Sequence, residues 1–184
     1  MPSGTTIFLN GASSSGKTSI AKALQEALSE PYLHVGLDAF FDMVPTRYVV
    51  GEHPWTVTET VSTMISGFHG AIAALVRAGN NVIVDHVLQE AAWVRECAAL
   101  LAPVPAILVG VHCPLAELER REATRPDRSI GLAKFQWARV HAHQIYDLEV
   151  DTSTQNPKEC AEKISFYLRA GHVPTAFRRL RDGL

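Results

Sequence analysis

Cysteine is scarce in this 184-residue chain, and Cys97, Cys113 and Cys160 are widely spaced and odd in number. That suits reduced core thiols in a cytoplasmic protein better than a disulfide framework. Zinc-type spacing of Cys and His is missing as well. His141 and His143 stand two apart in a helix-prone stretch, where such neighbours point to different faces. No apolar run reaches the length that crosses a bilayer. The first residues lack the basic-then-apolar order of a secretory leader, so neither export nor a membrane partner is expected. Positive charge is not in surplus either. Seventeen Lys and Arg against 19 Asp and Glu leave a net charge of −2, which argues against a general nucleic-acid binder. Only the tail is locally basic, at Arg178, Arg179 and Arg181. With no internal repeat and no low-complexity linker, the length favours one domain over residues 1–184.

What is present is concentrated near the start. Thr5–Asn10 is followed by Gly-Ala-Ser-Ser-Ser-Gly-Lys-Thr (Gly11–Thr18) and then by Ser-Ile-Ala-Lys-Ala-Leu-Gln-Glu-Ala. The eight central residues match the phosphate-binding pattern G-x-x-x-x-G-K-[ST] at every position. The flanks match too, with a β-prone run (Ile7, Phe8, Leu9) before and helical spacing (Ile20, Ala21, Leu24, Ala27, Leu28) after. Free N–H groups at a helix start converge on phosphate oxygens, and the helix dipole favours their charge. Gly11, Ala12, Ser13, Ser14, Ser15, Gly16, Lys17, Thr18 and Ser19 are therefore the candidate nucleotide cradle. Lys17 can reach the β- and γ-phosphates of ATP, and the Thr18 hydroxyl can serve Mg²⁺. The guanine and γ-phosphate signatures of GTPase switches, Asn-Lys-x-Asp and a post-strand Asp-x-x-Gly, do not occur.

Strand and helix signals then alternate. Tyr32–Leu37 reads as a short buried strand and Thr58–Ala78 as a helix stopped by Gly79. Val82–Val84 is a strand ending at Asp85, and Glu90–Leu101 a helix. Ala106–Val111 is a strand, and a Pro-started helix follows over Leu115–Thr124. Arg125–Gly131 is a charged loop, mobile and able to cover phosphates. Lys134–Ile145 is helical, Leu148–Val150 a strand, and Pro157–Ala170 a helix stopped by Gly171. The tail carries an amphipathic turn with Phe177 and Leu180 inward. The alternation predicts an α/β fold with three layers, a parallel sheet flanked by helices. Ligands of such sheets sit beyond the carboxyl ends of the strands, so the phosphate loop, Asp38 and Asp85 should share one crevice.

Phosphoryl transfer requires phosphate positioning, charge neutralisation and an oriented nucleophile. Asp85, ending an apolar strand, suits the Mg²⁺ side of such a site better than a plain helix cap. Asp38 reads equally as a general base for an acceptor hydroxyl or as the cap of a short helix. Arg120 and Arg121 read as helix-surface partners of Glu117, Glu119 and Glu122. Arg125 and Arg128, in a loop where helix pairing is unavailable, suit phosphates. The irregular stretch Asp42–Thr56 looks like a substrate loop. Together with Asp38, the candidate acceptor contacts are Phe41, Tyr48, Trp55, His86 and Gln89. Its composition is aromatic and poor in cations, which favours a small, partly apolar, uncharged alcohol over a nucleotide or shikimate.

Five runs resemble the chloramphenicol phosphotransferase family. They are Ile7–Ser19, Pro31–Asp38, Arg77–Asp85, Glu122–Arg128 and Tyr146–Thr152. The resemblance implies a P-loop kinase akin in fold to shikimate and adenylate kinases, moving the ATP γ-phosphate to a small-molecule hydroxyl. It implies that Asp38 is the general base, and that Lys17, Thr18, Arg125 and Arg128 handle the phosphates and the metal. An antibiotic-resistance role is implied too. Two departures point away from chloramphenicol itself. His86 stands where the family's antibiotic enzyme carries a second acidic residue, and Val49–Thr58 does not follow that enzyme. Shikimate-, gluconate- and nucleotide-sugar-type kinases are the neighbouring alternatives, and a non-catalytic nucleotide switch the more distant one.

Overall fold

The computed structural model describes residues 2–45, 54–125 and 130–183, with backbone only over 54–58. Five strands, β1 (Thr6–Asn10), β2 (Tyr32–Gly36), β3 (Asn81–His86), β4 (Ala106–His112) and β5 (Leu148–Asp151), form one parallel sheet. Their order is β2-β3-β1-β4-β5. From β1 the chain runs to the edge strand, returns through β3, then crosses to β4. The reversal beside β1 opens a crevice at the carboxyl end of the sheet.

The helices among the described residues are α1 (Lys17–Ala27), α2 (Leu37–Phe41), α3 (Pro54–Arg77), α4 (Ala91–Leu101), α5 (Leu115–Ala123), α6 (Leu132–Val140), α7 (Pro157–Arg169) and α8 (Ala176–Gly183). They cover both faces, as the residue pattern of β1 requires, because all five of its residues are buried. Ile7 and Leu9 join Ile83, Ile107 and Val109 beneath α1 and α7, with Ile20, Leu24 and Ile164 filling that layer. Phe8 points the other way, to Val82, Val84 and Leu108, beneath Phe68 and Ile72 of α3, Ala98 of α4 and Phe177 of α8. Each fully buried large side chain here contributes about 1.5–3 kcal/mol.

Local signals explain most element ends. α3 stops because Gly79 takes φ 95°, and the N–H groups of Gly79 and Asn80 close on the carbonyls of Val76 and Leu75. α7 begins on a reciprocal cap between Asn156 and Glu159, with Pro157 in its first turn. Phe177 and Leu180 are buried as expected, and Asp147 holds the start of α8 by accepting from the N–H groups of Thr175 and Ala176.

Three expectations need correction. β2 is half-exposed rather than buried, because it is an edge strand with one neighbour. The helix expected over Lys134–Ile145 ends at Val140, since the chain must turn there to enter β5; Gln144 adopts φ 52° in that turn. His141 and His143 therefore do not diverge from a helix. Both reach Tyr146, His141 Nδ1 at 2.7 Å from its hydroxyl and the His143 ring centroid at 4.8 Å from its ring. No helix among the described residues is long and apolar enough to cross a membrane.

Candidate active site

The phosphate loop joins β1 to α1 in a conformation that its residue types dictate. Gly16 takes φ 91°, and a Cβ on Gly11 would lie 2.5 Å from the Val111 carbonyl oxygen. Only glycine fits either place without distortion. Ser14 also sits in the left-handed region, at φ 63°. No side chain caps α1, so its first-turn amides remain directed at the crevice. The Ser14 and Ser15 hydroxyls are buried without a hydrogen-bond partner among the described residues.

Lys17 folds back over this loop and donates from Nζ to the Ala12 carbonyl at 2.9 Å. The same Nζ lies 3.7 Å from Asp85 Oδ1. The Thr18 hydroxyl donates to Asp85 Oδ2 at 2.5 Å, and His34 Nε2 stands 3.8 Å from that oxygen. Asp85 is inside β3, paired in register with Leu9 and Gly36, so it is not a helix cap. Burial pushes its carboxyl pKa upward, but the Lys17 ammonium, with His34 and Thr18, outweighs that and leaves it at about 2. The pair is thus an ionised carboxylate beside a hydroxyl, an all-oxygen donor set of the kind Mg²⁺ prefers.

That depression has a measurable consequence. Above the ordinary value of 3.8 the carboxylate is charged in both folded and unfolded chains, and its stabilisation is fully present. As pH falls toward 2 the unfolded chain takes up the proton first, and the stabilisation is lost. Asp85→Asn removes this linkage. Between about pH 5 and about pH 2.5, wild type should lose about 1.5 kcal/mol more unfolding free energy than the variant. Urea unfolding across that range checks it; equal losses in both proteins would mean that Lys17 does not hold the carboxylate.

Asp38 lies in the first turn of the five-residue α2, immediately after β2, and Gly36 is the cap residue. The helix-cap reading of Asp38 therefore fails. Asp38 lines the same cavity as Lys17, Thr18 and Asp85, a space of about 790 Å³. Phosphate-loop residues, Arg121, Arg125 and Gln136 line this cavity, together with the apolar residues Leu37, Phe41, Val61, Ile65 and Trp93. His86 and Gln89 line it as well. Phe40 does not; it packs edge-on against Phe68 in the core. Tyr48 and Arg128 lie outside the described residues, as does the Trp55 side chain.

Some cavity residues were not expected. Arg121 does pair with Glu117 through Nε at 2.7 Å, the helix-surface role foreseen for it. Its remaining donors reach the Thr152 carbonyl at 2.8 Å and the Ser14 carbonyl at 3.5 Å, so it also braces the phosphate loop. Arg120 stays on the surface with Glu117. Gln136 of α6 accepts from the Ser13 N–H at 2.7 Å, placing a carbonyl oxygen against a loop amide. Glu122, 2% exposed, accepts from the N–H groups of Gly131 and Ala133 and so fixes where the chain re-enters at the start of α6. Asn10 ties the loop's base together, accepting from Leu88 N–H at 2.8 Å and donating to Val140 O at 2.9 Å and Tyr146 Oη at 2.8 Å.

A family model described as chloramphenicol phosphotransferase-like protein matches residues 4–169. A relative from Mycobacterium tuberculosis strain H37Rv, carried under the provisional name O-phosphotransferase Rv2636, is 31% identical over 98% of this chain and 89% of its own. Among solved structures, the Mycobacterium tuberculosis APS kinase CysC, in complex with AMPPNP and APS, superposes with a TM-score of 0.68 at 18% identity. That match covers 92% of this chain and 99% of the other. Shikimate kinase from Acinetobacter baumannii, in complex with shikimate, gives 0.63 at 13% identity, over 92% and 96%. At such identities these two structures establish the P-loop kinase fold, while the family match covers most of the chain. The chain belongs to the chloramphenicol phosphotransferase-like family and is a kinase.

Proposed function

We propose that this kinase moves the γ-phosphate of ATP to a hydroxyl of a small, partly apolar, uncharged alcohol, with Asp38 as the general base. The observation that carries the reading is the shared cavity, which brings Lys17, Thr18 and Asp85 to one space with Asp38 and an apolar wall. Loop amides, Lys17 and the Arg121–Arg125 edge receive the phosphates. Thr18 and Asp85 would hold Mg²⁺, which neutralises phosphate charge when bound. Asp38 accepts the acceptor's hydroxyl proton as its oxygen bonds to the γ-phosphorus. The bond from that phosphorus to the bridging oxygen breaks, and ADP leaves. Arg125 and Arg128 add positive charge from a loop, residues 125–131, that closes over the phosphates; Glu122 anchors its return.

The described cations of the cavity are Lys17, Arg121 and Arg125, and the first two bond to phosphate-loop carbonyls, at Ala12 and Ser14. The acceptor wall of Leu37, Phe41, Val61, Ile65 and Trp93 therefore offers a carboxylate or phosphate nothing to pair with. The test is ADP release with and without a panel of neutral, carboxylated and phosphorylated alcohols, the products being identified by mass spectrometry. Neutral alcohols should stimulate release and gain one phosphoryl group. Stimulation by none of them, or by anionic acceptors alone, would overturn the reading.

A further inference from the structure

Behind Asp85 a polar chain runs from the surface inward to the end of β3, and the transfer step does not use it. Ser66 of α3 donates to Glu96 Oε1 at 2.5 Å. Glu96 Oε2, on α4, lies 2.7 Å from His69 Nδ1, and His69 Nε2 lies 3.0 Å from His86 Nε2 at the end of β3. His69 and His86 are each 1% exposed. Aromatic rings wedge His86, with Phe68 edge-on at 5.2 Å and Trp93 stacked at 5.9 Å between centroids.

The proton positions follow from the ends of the chain. A carboxylate only accepts, so His69 donates from Nδ1. Both rings are packed among aromatic side chains and shut off from solvent, so both are neutral and His69 Nε2 carries a lone pair. His86 must then donate from Nε2, and its Nδ1 is a lone-pair acceptor. Among the described residues Nδ1 has no hydrogen-bond partner, although it is buried. Three residues on, Gln89 Oε1 is likewise buried and unpartnered, and both residues belong to the cavity lining. Two orphaned acceptors on one wall are costly unless a ligand satisfies them.

We propose that His86 Nδ1 and Gln89 Oε1 form a subsite that reads hydrogen-bond donors, so that the acceptor carries a second hydroxyl or an N–H besides the hydroxyl that is phosphorylated. The chain Ser66–Glu96–His69 serves it by fixing the His86 tautomer. An ether, ketone or carboxylate oxygen placed against His86 Nδ1 meets a lone pair and is rejected. The subsite rests on the reading of this cavity as the acceptor pocket, and deepens it from an alcohol to a diol, amino alcohol or hydroxy-amide.

Matched probe sets test it. Each set contains a diol, its mono-methyl ether and the corresponding mono-alcohol, on cyclohexyl, phenyl and straight-chain skeletons. Affinities are measured by calorimetry on protein loaded with Mg²⁺ and a non-hydrolysable ATP analogue. In at least one set the diol should bind about tenfold tighter than its ether, the worth of one well-placed hydrogen bond. That gap should collapse in His86→Leu or in Gln89→Met; the second variant carries the test if the first fails to fold. Nitrogen NMR of labelled histidine should find His86 Nδ1 unprotonated, with a shift on diol binding. No diol preference in any set, no binding of any probe, a preference intact in both variants, or a protonated Nδ1 would each overturn the proposal. Phosphate transfer from ATP to the same diols is read separately. Preference without transfer would sink the kinase chemistry and keep the subsite, and transfer without preference would do the reverse.

Discussion

Lys17→Ala should leave a folded protein that no longer transfers phosphate at a useful rate. The tether to the Ala12 carbonyl and the ion pair with Asp85 are lost, and with them the ammonium proposed to reach the β- and γ-phosphates. Removing one preorganised charge-stabilising donor typically costs about 10²–10³ in rate. The fold should survive, because Asp85 keeps Thr18 and His34 beside it. Its carboxyl pKa should rise toward the ordinary value as the largest opposing influence disappears. Thr18→Ala should also disable transfer while leaving Lys17 in place, by removing the hydroxyl that sits 2.5 Å from Asp85. Circular dichroism, nucleotide affinity and single-turnover transfer separate these effects. Near-normal turnover in both variants would remove the phosphate loop from the chemistry.

The conformation of the phosphate loop could be read from the chain because its signals are local. Gly11–Thr18 works through backbone conformation and amides within eight residues, and Asp85 is announced by the apolar run before it. The rest depends on contacts that periodicity does not carry. Arg121 reads as a partner of Glu117 four residues away, which it is. Its second role links it to Thr152 and Ser14, at sequence separations of 31 and 107. His86 could be singled out by its place after Asp85, but not its partners, since His69 and Glu96 come from two different helices. The edge position of β2 was equally hidden. Its residues look like those of a central strand, and only the order of the sheet leaves one side open. The early end of α6 has the same cause, because the apolar spacing continues past Val140 while the connection to β5 needs a turn.

Asp38→Asn is expected to lower turnover by about 10²–10⁴ while changing nucleotide affinity little. The amide keeps the size and place of the side chain in the first turn of α2 but cannot take the acceptor's proton. Asp85→Asn should act differently. It sits between Lys17 and Thr18, on the nucleotide side, so its loss should weaken the hold on Mg²⁺ and raise the concentration needed for half-maximal rate. The two variants can be told apart by titrating Mg²⁺ at saturating ATP and acceptor. High Mg²⁺ should restore part of the Asp85 variant's rate and none of the Asp38 variant's. An acceptor with a more acidic hydroxyl should help the Asp38 variant alone, because less of its reaction depends on a base. Rescue of the Asp38 variant by Mg²⁺, with none for the Asp85 variant, would exchange the two roles. Loss of ATP binding in Asp38→Asn would instead place that carboxylate on the nucleotide and leave the acceptor hydroxyl without a base.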